Sequence, residues 1–230
     1  MANFSRGKTA GVIFEELLLV LDAIPHGGPY NMAMDEVLLR ADGPPLLRVY
    51  GWSAPTVSFG YFGRHAAVRQ LWPGRNLVRR WTGGGIVPHG ADLTYTLVVP
   101  KSEPFAGRPA AETYRMIHEA VAGALGDAGG ALSLAAGAPK VSDECFANPA
   151  AHDILADGIK VAGAAQRRTR HGLLHQGSIQ RRGLGSEFAA RLAAALGRRV
   201  KARALTETEK NEAVRLAGEK YGTSEWLRRF

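Results

Sequence analysis

The sequence predicts an α+β fold from three observations. Short β-branched segments bounded by turn residues fill the first half of the 230-residue chain, helical periodicities intervene, and an Asp157-Gly158 turn opens a second group of strands. Residues 30–40 come first, with Met32, Met34, Val37, Leu38 and Leu39 on a broad apolar stripe and Asn31, Asp35 and Glu36 off it, the pattern of an amphipathic helix. Residues 46–51, 56–60, 76–80 and 93–99 read as strands. Residues 110–125 read as a helix ended by Gly126. Strands over 153–156 and 159–166 flank Asp157-Gly158, a dipeptide suited to a type I′ turn, and a third strand is expected over 173–180. Residues 185–196 and 207–216 carry helical patterns, the second opened by Thr206 and Glu209 at capping-box spacing.

No repeat, low-complexity segment or linker interrupts the chain, so one domain over 1–230 is expected. A chain of this size buries about 70–75% of its unfolded surface and holds a core without staples. Cys145 is the single cysteine, and no Cys/His cluster has metal-ligand spacing; neither a disulfide nor a metal site is expected, and a reducing cytoplasm is the expected location. The apolar run over 17–21 lies between Glu15-Glu16 and Asp22, too short and too charged for a signal peptide or a membrane span. The formal net charge is +8, and basic residues concentrate late: Arg167, Arg168, Arg170, Arg181, Arg182, Arg198, Arg199, Lys201 and Arg203, then Arg228 and Arg229. There is no helix-turn-helix, zinc-finger or RNP-type signature, and the aromatics are not interleaved with these arginines as a stacking platform requires. Nucleic acid is therefore not the expected partner. A solvated basic face and a docking surface for an acidic protein both remain open.

Chemistry concentrates in three places. Residues 79–89, R-R-W-T-G-G-G-I-V-P-H, set Gly83, Gly84 and Gly85 beside two arginines and a histidine. Glycines permit positive φ and let backbone N–H groups approach a ligand, although a tight turn between strands also uses them. In the strand over 159–166, strict alternation places Lys160 with Ala162 and Ala164 on one face and Ile159, Val161 and Gly163 on the other. Such a lysine has room for a ligand beside it; a surface lysine guarding an edge strand is the alternative. Cys145 sits in V-S-D-E-C-F-A-N-P, where Asp143, Glu144, Asn148 and Pro149 make an unusual core environment, so a reactive thiol and an inert buried one are both open.

These blocks resemble the biotin/lipoate protein ligase superfamily, in its lipoate-protein ligase A and octanoyltransferase branches. L-R-V-Y-G-W-S-A-P-T-V-S-F-G-Y-F over 47–62, the glycine segment over 79–89 and G-I-K-V-A-G-A-A-Q-R-R over 158–168 follow that family's order, with N-M-A-M-D-E before them and L-L-H-Q-G-S-I after. The resemblance covers about residues 28–200, the expected core, and leaves 201–230 as a helical extension with no room for an accessory domain. It implies a mixed β-sheet packed by helices, of the class II aminoacyl-tRNA synthetase/biotin-lipoate ligase-like kind, with an apolar tunnel for an acyl chain. Arg80, Thr82, Gly83, Gly84 and Gly85 would bind the acyl head group or its adenylate, with His89, Gly163, His175 and Gln176 as further substrate-binding positions. Lys160 matches the family's essential lysine.

C-F-A-N-P ahead of an acidic residue resembles the octanoyltransferases that use a cysteine nucleophile, which makes Cys145 and Lys160 the expected catalytic pair. That branch implies transfer of an octanoyl or lipoyl group from acyl carrier protein, through a cysteine thioester, to a lysine of an apo lipoyl domain of a 2-oxoacid dehydrogenase or of the glycine cleavage H protein. It needs no cofactor. Two other readings are a lipoate-protein ligase using ATP and Mg2+, and a non-catalytic acyl- or carrier-binding homologue. Two departures motivate the last: His89-Gly90 where the family commonly has His-Asp, and Leu174-His175-Gln176-Gly177 where transferases read Leu-Gln-His-Gly.

Overall fold

The computed structural model describes residues 11–126, 131–137 and 149–230, so Cys145 lies outside the described residues. The strand β1 (Phe14–His26), helix α1 (Gly28–Arg40) and strand β2 (Leu46–Trp52) form a β-α-β unit whose strands are parallel. A smaller unit follows, with β3 (Thr56–Phe59), α2 (His65–Leu71), β4 (Asn76–Arg79) and β5 (Ile86–His89) giving a three-stranded sheet in the order β4-β3-β5. Then come β6 (Leu93–Pro100), α3 (Ala110–Leu125), β7 (Leu132–Leu134), β8 (Ile154–Ala156), β9 (Ile159–Thr169) and β10 (Gly172–Ile179). The chain continues through α4 (Ser186–Leu196), β11 (Gly197–Ala202), α5 (Glu207–Leu216), a π-helical turn (Ala217–Tyr221) and α6 (Ser224–Leu227).

Among the described residues the main sheet has eight strands in the order β11-β1-β2-β6-β10-β9-β8-β7, parallel from β11 to β2 and antiparallel beyond. This is a mixed sheet packed by helices. On one face α3 and α4 bury Ile117, Val121, Leu125, Phe188, Leu192 and Leu196 against Leu17, Leu47, Leu97 and Leu173. On the other, α1 and α5 bury Met32, Leu38, Ala213 and Leu216 against Val20, Leu46, Val98 and Leu174. Each large apolar side chain sealed this way contributes about 1.5–3 kcal/mol. Asp157 and Gly158 both take positive φ, 48° and 82°, as a type I′ turn demands. Thr206 and Glu209 close a reciprocal capping box on α5.

Three expectations need correction. The core reaches upstream of residue 28, because β1 is an interior strand between β11 and β2. Its near-continuous apolar run suits a parallel strand covered on both faces. The segment 201–230 is not wholly helical, since Lys201 and Ala202 finish β11. There Arg198 and Arg199 pair with Glu15, and Lys201 pairs with Glu16, so part of the late positive charge is neutralised within the chain.

The third correction concerns α1, read as amphipathic, whose off-stripe Asn31, Asp35 and Glu36 are as fully buried as its apolar stripe. Helix α1 lies between the sheet and α5, and polar partners meet it on both sides. Arg48 on β2 is 0% exposed. Its Nη1 donates to Asp35 Oδ1 at 2.9 Å, its Nη2 to Asp22 Oδ2 at 2.6 Å and to Asn31 Oδ1 at 2.9 Å. Glu36 accepts from Lys220 at 2.5 Å, and from Arg40 and Tyr221. Truncating one partner strands the other as a buried unpaired charge. Arg48→Ala is therefore expected to lower the unfolding free energy by about 3–5 kcal/mol, measured by urea denaturation; a loss below about 1 kcal/mol would contradict the clamp.

Candidate active site

A small, largely apolar pocket opens on the α1 side of the main sheet, where the small sheet leans against β9 and β10. Met32, Trp52 and Val87 supply apolar wall, while Ser58, Arg80, His89 and Gln176 bring polar groups to it. Gly84, Gly163, Ala164, Ala165 and Gly177 keep the remaining wall close to the backbone.

The glycine loop is held from inside by Arg80. Its Nη2 donates to the Gly83 and Gly85 carbonyls, each at 2.9 Å, and its Nη1 donates to Ser58 Oγ at 2.7 Å. Of the three glycines only Gly84 takes a positive φ, 88°. The loop is approached most closely by Gly60, just past the end of β3, where a Cβ would fall 2.1 Å from the Gly84 carbonyl oxygen. Thr82 sits behind the wall and donates to Gln176 Oε1 at 2.7 Å, while Gln176 Nε2 donates to Asp35 Oδ2 at 2.7 Å. Burial raises the Asp35 pKa, against the lowering effect of Arg48.

His89 belongs to a chain of polar contacts. Ser58 Oγ lies 2.7 Å from His89 Nε2, and Asp92 Oδ2 lies 2.7 Å from His89 Nδ1. Because the Asp92 carboxylate only accepts, the neutral imidazole carries its proton on Nδ1 toward Asp92, and Nε2 accepts from the Ser58 hydroxyl. Trp52 stacks on the imidazole at 4.0 Å. Burial lowers the His89 pKa, with Asp92 opposing. Burial pushes Asp92 the other way, but hydrogen bonds from His89 and Ser178 outweigh it and hold the carboxyl below the usual range. The carboxylate beside His89 is thus Asp92, and the Gly90 N–H, in a residue at φ 139°, donates to it at 3.1 Å.

Lys160 is neither a surface lysine nor on an edge strand. It is 7% exposed, on β9 between β8 and β10, and its Nζ lies 2.6 Å from Asp153 Oδ2. Asp153 Oδ1 accepts from Tyr114 at 2.5 Å, and Tyr114 accepts from the Ala164 N–H at 2.9 Å, a backbone donor beyond the end of the β8 ladder. Strict alternation fails here. The β8–β9 register shifts between Ile154 and Leu155, and that bulge brings Lys160 to the same side as Gly163. A Cβ on Gly163 would fall 2.7 Å from Lys160 Cε and 2.9 Å from Nζ, so the ammonium lies directly against a pocket-wall residue.

The structure therefore places Arg80, Gly84, His89, Gly163 and Gln176 on the pocket, with Thr82, Gly83, Gly85 and Lys160 directly behind it. His175 is not brought there. Side chains on β10 alternate, and His175 faces α3, within 3.2 Å of the Tyr95 hydroxyl and 3.1 Å of Gln166 Nε2. Ser58, Asp92, Tyr114 and Asp35 were not singled out from sequence. Only the three-residue step from His89 to Asp92 carried a hint, and it is indistinct without the β5–β6 turn that folds it.

The fold and the site together define an enzyme scaffold of the lipoate-ligase type. The structure superposes on the bi-partite lipoate protein ligase of Thermoplasma acidophilum (TM-score 0.68, 21% identity, 94% of this chain and 96% of that one). It also superposes on a lipoate-protein ligase A bound with ATP (TM-score 0.72, 22% identity, 94% and 99%). The model of the lipoyl protein ligase A/B catalytic domain matches residues 28–212, and the chain belongs to that family. Among curated relatives, the octanoyltransferase LipM of Kyrpidia tusciae is 37% identical over 65% of this chain and 61% of its own length. The LipM of Halalkalibacterium halodurans is 35% identical over 69% and 64%. The LipM of Symbiobacterium thermophilum is 32% identical over 90% and 96%. The chain thus spans about three fifths of the length of the first two relatives.

Behind the sheet, burial lowers His118 to about 4 and holds His175 well below the ordinary histidine value of 6.5. Among the described residues His118 Nε2 has no hydrogen-bond partner, so a second proton would find no acceptor. The unfolded chain takes up protons near pH 6.5 that the native state refuses, so stability is full above that pH and is lost as pH falls toward 4. Each neutral histidine is expected to cost about 1.4 kcal/mol per pH unit in this window. His118→Asn, which keeps a donor toward the His152 carbonyl, should remove one such share from the slope of unfolding free energy against pH. An unchanged slope would contradict the assignment.

Proposed function

We propose that this protein transfers an octanoyl group from acyl carrier protein, through a thioester on Cys145, to the ε-amine of a lysine on an apo lipoyl domain. The observation that carries the reading is the buried Lys160 ammonium, paired with Asp153 at 2.6 Å and lying against Gly163 of an apolar-walled pocket. The likeness to curated octanoyltransferases, one of them aligned over 96% of its length, supports it.

The first step forms the bond from Cys145 sulfur to the acyl carbon and expels the carrier thiolate, which takes up a proton. The second forms the amide, as the neutral acceptor amine attacks and the cysteine sulfur leaves, the proton lost by the nitrogen returning to the thiolate. Both pass through a tetrahedral oxyanion, and a cation held in a water-poor site stabilises such charge best. Lys160 supplies it. Met32, Trp52 and Val87 line the pocket that would take the alkyl chain, and the Arg80-held glycine loop shapes the head-group end. The lipoate-ligase reading uses the same loop and lysine but activates the acid with ATP.

The test is mass spectrometry of the protein and of an apo lipoyl domain after incubation with octanoyl carrier protein, or with octanoate, ATP and Mg2+. An octanoyl adduct on the enzyme, absent in Cys145→Ser, and octanoylated acceptor without ATP are expected; acylation only with ATP would establish the ligase instead. Gly163→Ala is expected to push the Lys160 ammonium off its position and lower kcat by about 100-fold. Unchanged kcat in that variant would separate Lys160 from the chemistry.

A further inference from the structure

Phe62 is 75% exposed, an unusual position for a large aromatic side chain, and it stands at the turn between β3 and α2. The backbone that displays it is firmly held. Arg79 Nη1 donates to the Tyr61 carbonyl at 2.5 Å and to the Gly63 carbonyl at 2.7 Å, and the Gly63 N–H donates to the Gly60 carbonyl at 2.9 Å. Tyr61 meets Phe62 edge to face at 4.9 Å, and the Tyr61 N–H donates to the Thr82 carbonyl at 2.8 Å. The segment that carries the exposed ring is therefore tied through Tyr61 to Thr82, beside the glycine loop. Exposed apolar patches rimmed by polar groups mark interaction surfaces.

The rim is cationic. Arg167 lies over the Tyr61 and Trp81 rings at 5.0 and 4.8 Å, and Arg229 lies over Tyr61 at 5.5 Å. Arg64, Arg228 and Arg229 are exposed. Among the described residues Arg64, Arg167, Arg228 and Arg229 make no ion pair with a carboxylate, whereas Arg198, Arg199, Lys201 and Arg203 all do. The positive charge left over beside the pocket thus complements an acidic partner.

We infer that this patch, centred on Phe62 and rimmed by Arg64, Arg167 and Arg229, docks the acidic, lysine-bearing acceptor domain. The inference rests on the octanoyl-transfer reading and adds the surface that selects the acceptor. Arm length decides between the two carriers. A lysine amine rides on a four-carbon stem, so the acceptor's backbone must come close to the glycine loop, to which the Tyr61–Thr82 hydrogen bond joins this patch. A donor whose acyl group rides on a long prosthetic arm has no such need.

The test titrates an apo lipoyl domain onto the full chain, comparing the unaltered protein with Phe62→Ala and Arg229→Glu. Phe62 is exposed, so the fold should persist, as circular dichroism would confirm. Each variant is expected to weaken the acceptor Kd about tenfold, while octanoylation of a short lysine peptide and the KM for octanoyl carrier protein stay unchanged. An unaltered acceptor Kd in both variants would overturn the inference. So would equal losses with domain and peptide, or loss of binding to phosphatidylserine vesicles with acceptor affinity intact. Docking through the patch without acylation would leave the surface standing and remove the chemistry; acylation with a KM blind to the patch would do the reverse.

Discussion

A guanidinium sealed from water between a helix and a sheet is the constraint on which the site depends. Arg48 binds Asp22 of β1, Asn31 and Asp35 of α1, and so fixes that helix over the sheet. Asp35 then accepts from Tyr50, Thr96 and Gln176 as well, and Gln176 accepts from Thr82 beside the glycine triplet. Hydrogen-bond order therefore runs unbroken from the ion pair to the pocket wall. A buried ion pair is seldom more stabilising than well-packed hydrocarbon. Hydrocarbon, however, could not set the direction of the Gln176 amide, and that amide helps to place the loop.

On the other side of the pocket a β-bulge performs the matching task. A regular β9 would carry Lys160 and Gly163 on opposite faces; the shifted register with β8 puts the ammonium against the glycine and within reach of Asp153. The Ala164 N–H lies beyond the end of β8, and Tyr114 from α3 donates to Asp153 while accepting from that N–H. A helix on the far face thus positions the carboxylate that holds the lysine. Neutral His118 and His175 lie in the same layer, which ties the integrity of this support to pH.

The elements legible in the sequence were those whose signals are local. The Asp157-Gly158 turn, the Thr206 capping box, α3 and the strand pairs around them follow from dihedral preference and periodicity alone. Strand β1 was obscured because its apolar run reads equally as a buried helix segment, and its flanking Glu15, Glu16 and Asp22 meet the arginines and lysine of β11 and β2 across the sheet. The burial of Asp35 and Glu36 carried no sequence signal for a similar reason, since Arg48 and Tyr221 lie on other elements of the fold. At the site, Arg80, Gly84, His89 and Gln176 were legible through the glycine cluster and the family resemblance. The face of Lys160 was not, because a bulge leaves no mark in a two-residue alternation.

The central claim is that the pocket between Met32 and Gly163 receives an acyl chain whose carbonyl end meets Lys160. A crystal structure of the protein after reaction with an octanoyl thioester tests this directly. The account predicts the alkyl chain along Met32 and Val87, the acyl carbon bonded to the Cys145 sulfur, and the acyl oxygen within hydrogen-bonding reach of the Lys160 ammonium. An octanoyl group seated elsewhere, with this pocket unchanged, would contradict it.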